Sequence, residues 1–400
     1  MKKLLILGQI PKEYGGSYTT GVANVIIEIA NILKESYDTN IYATNLNSYK
    51  PIKHHDITFL GYSKKLLLKL LFFELIKRPI GAIKELRNYK NEFGVPQYKF
   101  LLYRILIKNY IKELQPDIIN AHGMMFSPIM KHLKLSKKTY FSFHGFMHND
   151  PNSILANQER GISMQKLYKN GAKYVFNPTY LNPEMKDIGE TELKINSDNA
   201  SIISNGVNVS TFKYSELDRE LVRREMGVLD GDKVFISVGA LTHRKNHLGF
   251  IEFLKRNLFK GSYWIIGKVE SEETRDKILH LVNSKELPFT IKLFSYMPNS
   301  ELYRYYSASD VYAHPSTSEG QALVVFEAMC CGMPVLVNKE IKGTIGLDNS
   351  YDKYLQFVDL KNDDIPSFIV NRTQLSEKCK EELSWEVTAK KYVRFFGNNS

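Results

Sequence analysis

The apolar residues in the first half of the chain fall into short runs separated by stretches of helical periodicity. A run at residues 4–7 precedes apolar residues spaced three and four apart over residues 22–33, and another run follows at residues 41–44. This order predicts a strand, a helix and a strand. Further short runs lie at residues 117–121, 139–143, 173–177 and 201–204. Together they predict a parallel sheet wrapped by helices.

The second half of the chain repeats this pattern with its own apolar runs. They lie at residues 233–238, 263–266, 291–294, 311–313 and 334–337. A polar stretch at residues 208–232 separates the two series, so we expect one domain over residues 1–207 and another over residues 208–383. A chain of 400 residues also exceeds one ordinary core. The predicted fold is α/β, with two doubly wound domains that bind ligands at the carboxyl ends of their strands.

Composition narrows the class of protein. Hydrophobic residues make up 43% of the chain and charged residues 24%, which is typical of a soluble globular protein. The run at residues 4–7 is shorter than the core of a signal peptide, and no run approaches the roughly 20 apolar residues that span a bilayer. Three cysteines without disulfide or metal-ligand spacing favour a reducing compartment. We therefore expect a cytoplasmic protein.

The formal net charge of +11 favours an anionic partner. Residues 64–90 carry two acidic residues against eight basic ones, which are Lys64, Lys65, Lys69, Lys77, Arg78, Lys84, Arg87 and Lys90. A basic amphipathic helix of this kind can lie on an anionic membrane surface, here as a peripheral attachment to the inner face of the cell membrane. The alternative is a helix that packs its leucines on the first domain and keeps its lysines in water. The sequence leaves both open.

The segment at residues 315–337 is the most informative for chemistry. It places Glu319 and Glu327 eight residues apart around a glycine, Gly320, that precedes a predicted helix. Glycine allows close backbone approach, and the amides that open a helix can bind an anion such as a pyrophosphate. Glu319 then lies in the loop and Glu327 two turns into the helix. For an isolated pair of glutamates, two solvated side chains would be the commoner explanation.

This segment closely resembles the E-x7-E motif of the family 4 retaining glycosyltransferases. Other segments resemble motifs of the same family in the same order along the chain: Gly15-Gly16 with Gly21, the strand ending in His144-Gly145, residues 202–212, residues 237–246, residues 263–268 and Ser384-Trp385-Glu386. The resemblance implies a GT-B fold, with two Rossmann-like domains facing each other across a cleft. It also implies that a last helix, at residues 384–400, packs back on the first domain.

The resemblance implies roles for individual residues. Lys245 and Arg244 would face the diphosphate of a nucleotide-sugar donor, Glu327 the ribose hydroxyls and Glu319 the transferred sugar, with His144 beside the anomeric centre. The residues expected to act in catalysis are Glu319, His144 and Lys245. The expected donor site comprises Gly16, Gly239, Arg244, Lys245, Glu319, Gly320, Gln321, Ala322, Leu323 and Glu327. The residues expected at the acceptor side or in the cleft are Gly15, Gly21, His122 and Asn205.

The expected chemistry is metal-independent transfer from a nucleotide diphosphate sugar, with a UDP-sugar as donor and no cofactor. Cleavage leaves negative charge on the diphosphate, and preorganised cations and helix-end amides can stabilise it in place of a metal. Retention of anomeric configuration follows from the resemblance alone. One departure bears on the site, because Ala240 stands where the family usually has an arginine. Arg244 is the replacement that the sequence offers, and residues 205–207 resemble an interdomain hinge that would close over the donor.

Other patterns receive simpler interpretations. Asp230-Gly231-Asp232 has the D-x-D form of a metal site but precedes a predicted strand, and Asp-Gly is a common turn pair. His243 and His247 lack a third ligand for zinc. We therefore expect no metal site in these segments.

Two alternative functions remain open at this point. An epimerase or phosphorylase of the same build would share the phosphate site but lacks the E-x7-E context. A basic protein binding a membrane or nucleic acid through residues 64–108 would not explain Glu319, Glu327 and Lys245. We expect a glycan or lipid-linked acceptor, as in the assembly of a bacterial surface polysaccharide or glycolipid, and no nucleic acid.

Overall fold

The chain folds into two structural units. A computed structural model describes residues 1–18, 20–48, 50–62, 64–135, 139–146, 159–284, 286–295 and 297–398. One unit comprises Met1–Ser204 and Thr388–Ser400, and the other comprises Asn205–Val387. The predicted boundary, between residues 207 and 208, lies three residues farther along the chain than this division.

An eight-stranded sheet forms the centre of the first unit. Its strands are β1 (Lys2–Gly8), β2 (Tyr37–Asn47), β3 (Ile52–His54), β4 (Ile57–Tyr62), β5 (Ile118–His122), β6 (Thr139–Ser142), β7 (Pro178–Tyr180) and β8 (Ser201–Ile202). Their order in space is β3-β4-β2-β1-β5-β6-β7-β8, and only the β3 and β4 pair is antiparallel among these described strands. The chain therefore reverses its direction of travel across the sheet between β1 and β5. Ligands of doubly wound sheets bind beyond the strand ends at such a switch point.

Seven helices connect these strands within the described ranges. They are α1 (Gly21–Leu33), α2 (Lys64–Lys77), α3 (Pro79–Asn91), α4 (Gln97–Leu114), α5 (Ser127–Leu133), α6 (Glu159–Gly171) and α7 (Pro183–Thr191). The first begins where the Thr20 hydroxyl accepts a hydrogen bond from the Ala23 amide at 3.1 Å. Its apolar residues at helical spacing, among them Ile26, Ile29 and Leu33, are buried as the pattern predicted.

The second unit has a six-stranded, fully parallel sheet. Its strands are β9 (Lys233–Val238), β10 (Gly261–Ile266), β11 (Thr290–Phe294), β12 (Val311–His314), β13 (Val335–Asn338) and β14 (Leu355–Val358). The order in space is β11-β10-β9-β12-β13-β14, so the switch point lies between β9 and β12. The accompanying helices are α8 (Glu216–Glu225), α9 (His247–Arg256), α10 (Glu272–Ser284), α11 (Asn299–Ala308), α12 (Leu323–Cys330), α13 (Lys342–Ile345) and α14 (Arg372–Glu382).

The last helix, α15 (Trp385–Asn398), begins in the second unit and carries its carboxyl-terminal part in the first. There the buried ring of Phe396 lies 4.8 Å from the ring of Tyr140, centroid to centroid. The Tyr392 hydroxyl also donates a hydrogen bond to Oγ of Ser142 at 3.2 Å. Because both partners belong to β6, this part of the helix is held on the first sheet.

Two predictions of local structure were wrong. Residues 173–177 were expected to form a strand, but Ala172–Tyr174 is a 3-10 turn and β7 begins only at Pro178. The basic stretch was treated as one helix, but α2 ends at Lys77 and α3 begins at Pro79. Proline has no amide hydrogen to continue a helix and is favoured at a first helical position, so Pro79 ends one helix and opens the next.

Within the described ranges, no helix combines the length and the apolar character needed to cross a membrane.

Candidate active site

Two loops meet at the switch point of the second sheet. One follows β9 at residues 239–246 and the other follows β12 at residues 315–322, and the two strands pair directly, Phe235 with Val311 and Ile236 with Tyr312. Since parallel strands end at the same edge, the two loops lie side by side. The Thr317 amide donates to the Arg244 carbonyl oxygen at 3.0 Å and joins them.

The loop after β9 places Lys245 by close packing. A Cβ on Gly239 would lie 3.2 Å from Cε of Lys245, so the missing side chain makes room for the lysine stem. The hydroxyl of Thr242 accepts a hydrogen bond from the Lys245 amide at 3.3 Å and caps a 3-10 turn. Asn246 follows in the left-handed region with φ 52° and turns the chain into α9. Gly239 was predicted in the donor site, and its visible role is to position Lys245.

The carboxylate of Glu319 holds both predicted cations. Oε2 of Glu319 lies 3.0 Å from Nη1 of Arg244, and Oε1 lies 2.5 Å from Nζ of Lys245. Arg244 also donates to the Ser318 carbonyl oxygen at 2.6 Å. The structure therefore brings together three residues that the sequence predicted to share a site.

Histidine 314, which sequence reasoning missed, completes this cluster. Its Nε2 lies 3.5 Å from Oε1 of Glu319, and its Nδ1 lies 3.3 Å from the hydroxyl of Tyr312. A signal existed, because His314 directly follows the predicted strand at residues 311–313 and leads into the Glu319 loop. The histidine is buried, and burial lowers its pKa, with Glu319 opposing part of that effect.

The Glu319 carboxyl remains ionised well into acid. Burial alone would raise the pKa of this carboxyl, but His314, Lys245 and Arg244 outweigh burial and hold it well below its usual range. Arg244 and Lys245 together carry one positive charge more than the carboxylate offsets. An incoming diphosphate could therefore take the place of Glu319 as the partner of these cations.

The residues between Glu319 and α12 form a compact turn. Ala322 is buried and precedes the helix, and the amides of Leu323 and Val325 donate to the carbonyl oxygens of Gln321 and Ala322. Two of the helix-end amides expected to face a phosphate thus have acceptors already.

The side chain of Gln321 reaches the start of the second unit. Its Oε1 accepts a hydrogen bond from the Asn205 amide at 3.0 Å. Its Nε2 has no hydrogen-bond partner among the residues that the structure describes. The structure therefore joins Asn205, predicted in the cleft, to the predicted donor loop.

Glu327 lies outside the ion-pair cluster. It is partly buried on α12 and forms no ion pair with another described residue. Burial raises the pKa of its carboxyl to about 7, and the neighbouring Tyr306 hydroxyl offsets part of that rise. At neutral pH the Glu327 carboxyl can therefore both donate and accept hydrogen bonds.

A pair of histidines lies at the switch side of the first sheet. His122 ends β5 and His144 follows β6, and Nδ1 of His122 lies 2.8 Å from Nε2 of His144. Nε2 of His122 lies 2.8 Å from Oδ1 of Asn120, whose Nδ2 donates to Ser142. The structure brings the two predicted histidines together and adds Asn120, which sequence reasoning missed.

These contacts fix the positions of the imidazole protons. Oδ1 of Asn120 can only accept, so His122 carries its hydrogen on Nε2 and accepts through Nδ1. His144 then donates from Nε2, which leaves its Nδ1 with a lone pair and without a partner among described residues. Burial lowers the pKa of His144 to about 4. Burial, with a smaller effect of His144, holds the pKa of His122 well below its usual range, so both rings are neutral at neutral pH.

The glycine-rich opening of the first unit shows three different environments. Gly15 has φ 89° and ends a 3-10 turn, and a Cβ on Gly16 would lie 2.0 Å from the Ile10 carbonyl oxygen. Both glycines are therefore required by the path of the chain. A Cβ on Gly21, the first residue of α1, would meet nothing within 4 Å. Asn45, which sequence reasoning also missed, holds this loop in place. Its Oδ1 accepts a hydrogen bond from the Ile10 amide at 3.0 Å.

The D-x-D sequence forms the turn that was predicted before β9. Gly231 has φ 88°, and the Asp232 amide donates to the Leu229 carbonyl oxygen at 3.1 Å. No group of three or more histidine, cysteine, aspartate or glutamate side chains within the described ranges is arranged to hold a metal ion.

Comparison with known proteins gives matches to glycosyltransferases. Residues 218–347 match the family described as glycosyl transferases group 1. The chain is 28% identical over 313 residues to the UDP-Gal:alpha-D-GlcNAc-diphosphoundecaprenol alpha-1,3-galactosyltransferase of Escherichia coli. The aligned region covers 76% of this chain and 73% of the relative. It is 29% identical over 145 residues to the alpha-monoglucosyldiacylglycerol synthase of Acholeplasma laidlawii, about a third of each chain.

Solved structures share the fold across the whole chain. The sucrose-phosphate synthase from Thermosynechococcus elongatus has a TM-score of 0.67 at 13% identity and covers 99% of both chains. HepE of Anabaena in complex with UDP and glucose has a TM-score of 0.66 at 12% identity and covers 100% of both chains.

Proposed function

We propose that this chain, a glycosyltransferase of GT-B fold with a glycosyl transferases group 1 domain at residues 218–347, transfers a sugar from a UDP-sugar to a glycan or lipid-linked acceptor. The transfer retains the anomeric configuration and needs no metal. The observation that carries the proposal is the cluster of Arg244 and Lys245 on the Glu319 carboxylate, at the switch point of the second sheet.

The predicted α/β fold with two Rossmann-like units and the predicted enzyme class are confirmed. The transferase class displaces the alternatives of an epimerase, a phosphorylase and a basic binding protein without activity. UDP as the donor nucleotide is supported by the printed names of the Escherichia coli relative and of the Anabaena complex. A lipid-linked acceptor in polysaccharide or glycolipid assembly is supported by the names of the two curated relatives.

In this proposal the donor diphosphate replaces Glu319 as the partner of the two cations. Lys245 and Arg244 then neutralise the charge that develops as the bond from the anomeric carbon to the phosphate oxygen breaks. The released carboxylate of Glu319 accepts hydrogen bonds from hydroxyls of the transferred sugar. The acceptor hydroxyl attacks on the face from which the diphosphate leaves, and a leaving phosphate oxygen takes its proton.

Two further groups bind the donor through hydrogen bonds. Glu327, whose carboxyl has a pKa of about 7, exchanges hydrogen bonds with the ribose hydroxyls. His144 presents the lone pair of Nδ1 to a hydroxyl of the transferred sugar, because Asn120 and His122 fix its tautomer. Gly21 is the glycine in this opening segment whose surroundings leave space for a phosphate, and its amide is the one we assign to donor binding.

We also propose that the protein attaches peripherally to the inner face of the cell membrane, through the helices at residues 64–90. One face of α2 packs Leu67, Leu70 and Leu71 on the core of the first unit, as the simpler interpretation predicted. On another part of the helix surface Leu68 and Phe72 are exposed, as are Lys65 and Lys69. An apolar face bordered by basic residues is typical of helices at an anionic membrane surface.

The test of the proposed reaction is transfer followed by proton NMR of the product. UDP-galactose and a GlcNAc-diphospho-lipid, the donor and acceptor in the relative's name, are incubated with the protein in excess EDTA, followed by other UDP-sugars. We expect an α-linked product from an α-linked donor. A β-linked product would contradict retention, and activity that EDTA abolishes and Mg²⁺ or Mn²⁺ restores would contradict the metal-independent mechanism.

A further inference from the structure

The first unit contains a cavity of about 270 Å³, and neither histidine of the proposed sugar site lines it. It is bounded by the junction of α2 and α3, by α4 and by the end of α5. Five of its lining residues can carry positive charge or donate hydrogen bonds, and they are Arg78, Arg104, Lys108, His132 and Lys134. The remaining lining residues are apolar. A cavity with such a lining suits an anion.

Arg104 is held rigidly in the wall of this cavity. Its Nε donates to Oε1 of Glu85 at 2.9 Å, and its Nη2 donates to Glu85 at 3.0 Å and to Glu74 at 2.7 Å. The residue is only 1% exposed. Two carboxylates therefore fix the plane of the guanidinium before any ligand arrives.

Two buried nitrogen atoms of residues that line the cavity have no partner among the residues that the structure describes. They are Nη1 of Arg104 and Nε2 of His132. Buried polar groups in proteins are almost always hydrogen-bonded, and a buried guanidinium nitrogen without an acceptor is costly. An anion in the cavity would supply acceptor oxygens to these groups.

The net charge of the lining residues also favours an anion. Four lining residues are formally positive, and the two carboxylates on Arg104 and Arg78 leave an excess of two positive charges. Lys108 and Lys134 are exposed at the rim, where neither forms an ion pair with another described residue. A phosphate group matches this excess of charge and offers several acceptor oxygens.

The surface beside the cavity is apolar and basic. On α2 and α3 the most exposed apolar side chains are Leu68 at 69%, Phe72 and Ile76 at 62% each, and Ile80 at 81%. Lys77 and Arg78 lie within the same stretch and are exposed. An apolar face next to a basic cavity fits a lipid, whose acyl chains and phosphate lie at adjacent depths of a membrane.

We propose that this cavity binds the phosphate of an anionic membrane lipid while the exposed face of α2 and α3 contacts the bilayer. The inference rests on the peripheral attachment proposed above and adds a discrete phosphate site to it. Arg104 and His132 donate to the phosphate oxygens from the wall, and Lys108 and Lys134 close over it from the rim. A discrete site distinguishes headgroups by the accessibility of their phosphate, which a diffuse basic surface of equal charge does not.

The test compares vesicles of phosphatidylcholine that contain either phosphatidic acid or phosphatidylserine at equal surface charge. Phosphatidic acid exposes its phosphate, so we expect the protein to bind these vesicles at least tenfold more tightly. The double variant Lys108→Gln with Lys134→Gln should lose this preference. The matched variant Lys65→Gln with Lys69→Gln removes the same charge from α2, and it should bind both vesicles more weakly but keep the preference. Unchanged melting temperatures and unchanged UDP affinity establish that both variants are folded.

Several outcomes would overturn the inference. Equal binding to the two vesicles would refute a discrete phosphate site, even with membrane attachment intact. Loss of the preference in the Lys65 and Lys69 variant alone would place the site elsewhere. Calorimetric binding of inorganic phosphate that Lys108→Gln with Lys134→Gln abolishes, without vesicle binding by the wild type, would assign the cavity to free phosphate. Failure of sugar transfer with vesicle preference intact would refute the proposed reaction and leave this inference standing.

Discussion

Replacement of Glu327 by glutamine tests the environment of the second glutamate quantitatively. Burial raises the pKa of this carboxyl from 4.5 to about 7. Each pH unit between those two values corresponds to about 1.4 kcal/mol. Ionising Glu327 therefore costs roughly 3 kcal/mol more in the folded protein than in the unfolded chain. The sign follows from linkage. Below pH 4.5 the carboxyl is protonated in both the folded and the unfolded state, so it does not change the free energy of unfolding. Above about pH 7 it is ionised in both states, and the folded state is destabilised by the full cost.

We therefore expect the wild type to lose stability between pH 4.5 and 7 relative to Glu327→Gln, which cannot ionise. Between pH 4 and pH 8, the free energy of unfolding of the wild type should fall by roughly 3 kcal/mol relative to that of Glu327→Gln. Urea unfolding at a series of pH values measures it. The control is Glu381→Gln, on an exposed residue of α14. A Glu327→Gln difference that is the same at pH 4 and pH 8 would refute the buried, protonated carboxyl.

Three further predictions follow from other contacts. Gly239→Ala places a methyl group 3.2 Å from Cε of Lys245 and should weaken UDP binding about tenfold by calorimetry. Asn120→Leu removes the acceptor that fixes the tautomer of His122, so it should lower kcat at least about tenfold and give mixed imidazole tautomers in nitrogen NMR. An unchanged tautomer would contradict the role of Asn120 in fixing it. Phe396→Ala empties a fully buried position and should destabilise the first unit by about 3–5 kcal/mol in urea unfolding.

Periodicity predicted much of the fold because buried parallel strands form compact apolar runs. Residues 233–238 were predicted as a strand and form β9 with those bounds. The error at residues 173–177 arose because a short apolar run can also pack from a 3-10 turn, which periodicity does not distinguish. The break between α2 and α3 was readable from Pro79, whose missing amide hydrogen was not weighed against the helical pattern.

The site was less accessible from the sequence because its contacts depend on the order of strands in space. The resemblance supplied Glu319, Arg244 and Lys245, but the ion pairs among them follow from the pairing of β9 with β12, whose contact residues lie 76 positions apart. Asn120 was missed for the same reason, because its partner Ser142 belongs to a different strand that ends at the same edge of the sheet. The His314 side chain contacts Tyr312 and Glu319, which lie near it in the chain, and its position just before the Glu319 loop was a signal in the sequence.

The most direct test of the central claim is calorimetric titration of UDP, with GDP and ADP for comparison, in the presence of EDTA. We expect the wild type to bind UDP, and Lys245→Ala to bind it about 10- to 100-fold more weakly, as expected for loss of one charge-assisted contact. Lys255→Ala removes an exposed lysine of α9 in the same unit and should bind UDP like the wild type. Binding that Lys245→Ala leaves unchanged, or that Lys255→Ala weakens equally, would contradict a donor site built on Arg244, Lys245 and Glu319.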